Sequence, residues 1–162
     1  MIFGMDTYTF VHVVISLVGI GSGLVVLVGL LTGKRLDGWT ALFLLTTAAT
    51  SLTGFGFPFD HLLPSHIVAI ISLVALAVAA AARYVFHLAG FWRPIYVAGA
   101  VVSLYFNVFV LIVQLFLKVP ALHALAPTQA EPPFAIVQGL VLVLFVVLGI
   151  LAAIRSRPPA MA

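Results

Sequence analysis

The sequence predicts an all-α integral membrane protein, a bundle of five transmembrane helices, and three observations carry that prediction. Hydrophobic residues make up 64% of the chain and charged residues only 7%, against roughly half and a quarter in a soluble domain. Five apolar stretches approach or exceed the roughly 20 residues needed to cross the hydrocarbon of a bilayer. Between them glycine, proline and charge collect in short segments, the punctuation that ends one helix and starts the next. The whole chain, 1–162, reads as a single membrane domain, since no long polar stretch remains for another.

The first span, 8–31, carries no charge, and Asp6 or Thr7 can cap its start. Gly33 can end it, with Lys34 and Arg35 just beyond, where cations suit the helix dipole. No basic segment precedes this run, so it is expected to stay in the protein and not to be removed as a secretory signal. Gly19 and Gly23 form a GxxxG with Ser16 and Ser22 nearby, which predicts a face for close helix approach. The second span, 39–55 with Asp37 as its cap, is the shortest and the richest in hydroxyls. Thr46, Thr50 and Thr53 follow helical spacing and Thr47 and Ser51 lie alongside, so one side of it faces protein.

Phe55 to His66, reading FGFPFDHLLPSH, gathers glycine, proline, Asp60, His61 and His66 into one interruption. Its breakers end one helix, and Pro64-Ser65 opens the third span, 66–86, whose centre from Val74 to Ala82 is alanine-rich and suited to tight packing. The fourth span, 94–117, has Pro94 in its first turn, where the missing N–H costs nothing. Ser103, Asn107 and Gln114 fall near one stripe of it. An unpaired amide in hydrocarbon costs several kcal/mol, so both amides are expected to face the bundle interior, another subunit or a water-filled cavity. Residues 119–133 are read as the one long loop, with four prolines, His123 and Glu131. Pro132 and Pro133 set the entry to the fifth span, 134–154, and Arg155 and Arg157 follow.

Five spans place the termini on opposite faces, and the basic residues choose the orientation. Lys34, Arg35, Arg83, Arg93, Arg155 and Arg157 fall on one side and Lys118 on the other. The expected topology is therefore N-terminus outside and C-terminus cytoplasmic, in the inner (plasma) membrane of a bacterial-type cell. If the short second run lay in the interface instead, Lys34 and Arg35 would join Lys118 and this separation would blur.

The same sorting places His12, Asp60, His61, His66, His123 and Glu131 at the outer face, which then holds imidazoles and carboxylates with almost no lysine or arginine. His12, Asp60, His61, His66 and Glu131 are the candidate ligand or metal residues, because imidazole and carboxylate suit zinc, copper and ferrous iron. No HExxH pair stands on one helical face, so convergence would depend on tertiary packing. His12 and His66, on different spans at similar depth, are alternatively the axial ligands of one haem b. A quinone or other lipid-soluble ligand, hydrogen-bonded by Asn107, Gln114 or the outer histidines, fits the same residues.

Other chemistry is excluded. With no cysteine, thiolate metal sites, iron–sulfur clusters and cysteine nucleophiles are absent. Seven basic residues are too few for a phosphate-tracking stripe, so nucleic acid is not an expected partner. No charge lies centrally in any span, which argues against a proton-coupled carrier with a midplane carboxylate. What remains is binding or transport of a small ligand or cation from an outward His/Asp site, with a haem- or quinone-binding redox subunit or a non-catalytic accessory or scaffold subunit as alternatives. The small-residue faces further predict a homo-oligomer or a larger membrane complex around the chain.

Overall fold

The computed structural model describes residues 6–57 and 64–156. Every regular element among them is helical: α1 (Thr7–Leu31), α2 (Asp37–Gly54), α3 (Pro64–Ala80), α4 (Trp92–Lys118), α5 (Pro120–Leu125) and α6 (Pro132–Arg155). A five-residue π-helical turn, Ala81–Val85, prolongs α3.

Four helices, Thr7–Leu31, His66–Val85, Trp92–Lys118 and Pro132–Arg155, are long and apolar enough to cross a membrane. The protein is thus a multi-pass helical membrane protein in its coarse outline. The helix built by the second apolar stretch, α2, has 18 residues, about 27 Å at 1.5 Å per residue, and is not among the four. Its polar content is the reason: Thr40, Thr46, Thr47, Thr50, Ser51, Thr53 and Asp37 lower its hydropathy.

Local chemistry sets the helix ends. The Asp6 carboxylate caps α1, accepting from the Thr9 N–H at 2.9 Å and the Thr9 hydroxyl at 2.7 Å. Gly33, at φ 69°, closes the same helix in a Schellman turn, with Lys34 N–H on Gly29 O at 2.8 Å and Gly33 N–H on Leu30 O at 3.4 Å. Asp37 is not the expected cap of α2. Leu36 holds that position and Asp37 stands in the first turn, from which its carboxylate pairs with Arg83. The expected long loop 119–133 contains a short helix, α5, which starts on Pro120 at the N-terminal position where proline is tolerated. Leu122 within it and Ala126 just after it pack with Ile112, Phe116 and Phe134 to cover the end of α4.

Helix α4 stands in the middle, packed against α1, α2, α3, α5 and α6. Glycine and alanine make this possible. A Cβ on Gly23 would stand 2.6 Å from Leu104 Cδ1 and 2.9 Å from the Phe43 ring, and one on Gly99 would stand 2.8 Å from the Ala75 carbonyl oxygen. The GxxxG of α1 is therefore a packing face toward α2 and α4, and the alanine-rich α3 receives Gly99 of α4. These small-residue faces are filled within the chain. The broad apolar flank of α6, including Leu140, Val143 and Ile150, is exposed.

Candidate functional site

At the end of the bundle away from Lys34 and Arg35, α1 and α2 are tied by two bonds that converge on one threonine. The Tyr8 hydroxyl donates to the Thr53 carbonyl at 2.5 Å, and His12 Nδ1 lies 2.7 Å from Thr53 Oγ1. Thr53 already donates its hydroxyl proton to Ala49 O at 2.7 Å, so the hydrogen in the second bond belongs to Nδ1. In the neutral ring Nε2 is then the acceptor. Phe57 packs edge-on against the His12 ring, 5.1 Å between centroids, and fixes its plane.

Below this tie lies a cavity of about 620 Å³ walled by α1, α2, α3 and α4, within the usual range for small-molecule sites. Along α1 it extends from Thr9 to Ile20, about 16 Å of helix. Its walls are largely aliphatic and aromatic, with polar groups at spaced positions: His12 and Ser16 from α1, Thr50 and Ser51 from α2, Ser72 from α3, and Asn107 and Gln114 from α4, with Lys118 at one end. Two of these hydroxyls, Thr50 Oγ1 and Ser72 Oγ, are buried without any hydrogen-bond partner. Ser72 is 2% exposed. Serine and threonine in a helix ordinarily bond back to the preceding turn, as Ser16, Ser22, Thr46 and Thr53 do here. A buried hydroxyl that does not is a group with a donor and acceptor to spare.

The stripe expected on the fourth span divides into different roles. Ser103 is fully buried and bonds to its own helix at Gly99 O, 2.8 Å, so it packs and does not line the cavity. Asn107 is buried and its Nδ2 donates to Thr47 Oγ1 at 3.0 Å, across to α2. Gly19 leaves the room for that bond, since a Cβ there would lie 3.3 Å from Thr47 Oγ1 and 3.5 Å from Asn107 Nδ2. Gln114 is exposed at the cavity wall. Within the bundle, Gln138 of α6 instead reaches α4, donating to Phe109 O at 3.2 Å.

The expected ligand set is only partly within the described residues. Asp60, His61 and Arg157 lie outside them. His66 is 4% exposed and stacks on Phe55, 5.3 Å between centroids, and it is not part of the cavity wall that His12 joins. Glu131 precedes α6 and accepts from Thr128 N–H at 3.3 Å and Thr128 Oγ1 at 2.8 Å. Desolvation pulls its pKa up, but the Thr128 hydroxyl and nearby backbone N–H groups outweigh it and hold the carboxyl below the ordinary glutamate value. Among the described residues, no three His, Cys, Asp or Glu side chains stand close enough to hold a metal ion. Five of the six cations used to orient the chain, Lys34, Arg35, Arg83, Arg93 and Arg155, gather at one end of the bundle around a second cavity.

Ser72 and the unpaired state of Thr50 were not among the expected site features. A lone hydroxyl in the alanine-rich third span was the signal for Ser72. Nothing in the spacing of Thr50 distinguishes it from Thr46 and Thr53, whose hydroxyls are satisfied.

Fold and cavity together define a helical multi-pass membrane protein with a polar-dotted, mainly apolar chamber between four of its helices. Comparison with protein-family models, with curated proteins and with solved structures found no match.

Proposed function

We propose that this protein binds a small lipid-soluble molecule with an uncharged, hydrogen-bonding head in the chamber between α1, α2, α3 and α4. The observation that carries this reading is the chamber itself, whose mainly apolar wall presents His12, Asn107 and Gln114 and is backed by two unpartnered buried hydroxyls, Thr50 and Ser72. An apolar body matches the aliphatic walls, and a carbonyl or hydroxyl head matches donors and acceptors that otherwise go unused. A quinone-like ring has that chemistry. Metal coordination has less support in the chamber, where His12 is the sole imidazole and no carboxylate joins it among the described lining residues. A bis-histidine haem has less support also, because His66 stacks on Phe55 outside the chamber wall.

The reading includes the topology. Five spans, with α2 as the fifth, are supported by bonds at both of its ends: Thr53 to Tyr8 at one, Asp37 to Arg83 at the other. The cations at one end against Lys118 at the other favour an inner membrane with the N-terminus outside. The chamber then sits in the outer half of the bilayer. A further copy or a larger membrane partner has its footing on the exposed apolar flank of α6.

The test uses the full chain purified in detergent. Organic extracts of the wild type are expected to contain a lipophile in near-stoichiometric amount, and Ser72→Leu, which removes an unpartnered hydroxyl and adds bulk to the chamber wall, loses it. Added short-chain benzoquinone is expected to raise the melting temperature of the wild type and not that of Ser72→Leu. Ser103→Ala, at a buried serine away from the chamber, keeps both properties. Identical extracts from wild type and Ser72→Leu would sink the reading.

A further inference from the structure

The end of the bundle opposite His12 holds a second cavity, about 220 Å³, formed where the α1–α2 turn, the π turn, the start of α4 and the end of α6 meet. Five cationic side chains line it: Lys34, Arg35, Arg83, Arg93 and Arg155. The sequence offers these residues as topology markers, and for that purpose each needs only to reach water on one side of the membrane. Convergence on one cavity is more than topology requires, because like charges at close quarters repel.

Three of the five are held in place by bonds. Arg83 is 8% exposed, with one guanidinium nitrogen paired to Asp37 and its centre 5.3 Å above the Tyr96 ring. The π turn carries it inward; such a turn, inserted in an otherwise α-helical run, often marks a functional position. After that turn the chain takes His87 at φ 51° and Leu88 at φ 59°, a left-handed pair that non-glycine residues seldom adopt, and Leu88 is folded into the cavity wall. Arg93 Nη1 donates to Ser156 O at 2.8 Å and Arg155 Nη1 to Leu31 O at 3.2 Å. Arg83, Arg93 and Arg155 are each held by one nitrogen while a guanidinium offers five N–H donors. Asp37 is the sole carboxylate in an ion pair among the described residues, so the cations around the cavity outnumber their counter-charge.

We infer that this cavity is a binding site for a phosphate group, an anion whose oxygens planar guanidinium donors match in bidentate pairs. Its volume equals about seven waters at roughly 30 Å³ each, enough for a phosphodiester and its glycerol. Basic pockets between membrane helices on the cytoplasmic side hold acidic lipid headgroups in this way. The phosphate comes either from such a lipid or from a soluble phosphate compound.

The experiment reconstitutes the full chain in nanodiscs of phosphatidylcholine, with and without cardiolipin, and reads bound lipid by native mass spectrometry and stability by melting temperature. Wild type is expected to retain cardiolipin over phosphatidylcholine, at least tenfold more than the double variant Arg35→Gln/Arg155→Gln, which alters two exposed side chains and leaves the buried Arg83 in place. His123→Gln, an exposed position outside both cavities, retains as much as the wild type. If inorganic phosphate alone raises the melting temperature in phosphatidylcholine discs, through the same two arginines, and cardiolipin is not retained, the site serves a soluble phosphate. Equal retention by wild type and the folded double variant, with no phosphate response, overturns the inference.

Discussion

Gly21 and Gly23 lie two residues apart on α1, and the structure predicts opposite outcomes for the same substitution. An alanine Cβ at Gly21 meets nothing within 4 Å, whereas at Gly23 it would stand 2.6 Å from Leu104 Cδ1 and 2.9 Å from two Phe43 ring carbons. Leu104 and Phe43 are each 1% exposed, so neither can swing aside without moving its own neighbours. Replacing glycine by alanine inside a helix gains about 0.5 to 1 kcal/mol from reduced backbone entropy. Gly21→Ala is expected to realise that gain. Gly23→Ala sets the same gain against an overpacking cost of about 1 to 3 kcal/mol, for a net loss of up to about 2.5 kcal/mol. Denaturation of the purified protein from mild detergent into dodecyl sulfate, followed by circular dichroism, measures both. If the two variants shift the midpoint alike, the close packing of α1 on α2 and α4 is refuted.

Asn107→Leu should cost about 0.6 to 2 kcal/mol through loss of its bond to Thr47, and adding Thr47→Val should recover part of that cost; additive losses in the double-mutant cycle would show that the pair does not interact. Asp37→Asn should cost about 1 to 3 kcal/mol, between an exposed pair and a buried one, because the Asp37 side chain is 74% exposed but its loss leaves Arg83, its side chain 7% exposed, a buried cation without its counter-charge; no measurable loss in the same titration would refute this. Bonds from the Thr9 hydroxyl, and then from the Thr9 N–H, hold the Asp6 carboxyl below its ordinary value of 3.8. The cap of α1 is therefore complete at neutral pH and is lost only as pH falls below 3.8 through the folded value. Amide exchange at Thr9 should show constant protection down to that point and a decline beneath it, and Asp6→Ala should lack both.

Much of the outline was legible residue by residue because it depends on short-range rules. Gly33 needed only its αL preference to end α1, Asp6 only its carboxylate to start it, and the GxxxG of Gly19 and Gly23 only its absence of side chains to mark a packing face. Asn107 could be assigned a partner because an amide in hydrocarbon must have one. The limits of the same reasoning appear in α2. Its threonines look alike in sequence, yet Thr46 and Thr53 bond to their own helix, Thr47 receives Asn107, and Thr50 has no partner. Which of these happens depends on the atoms opposite.

The clearest division lies between the two ends of the bundle. Residue types alone determined that this chain is apolar enough for a membrane, roughly where its long helices begin and end, and that its cations other than Lys118 lie away from His12, since transfer cost, capping and the positive-inside tendency act on each residue through its solvent. Tertiary structure alone decided that five of those cations enclose one cavity, that His12 lines a chamber from which His66 is turned aside, and that Ser72 and Thr50 are left unpaired within it. Those are statements about distances between separate helices, and the physical forces that set them, close packing and the saturation of buried polar groups, operate only once the helices have met.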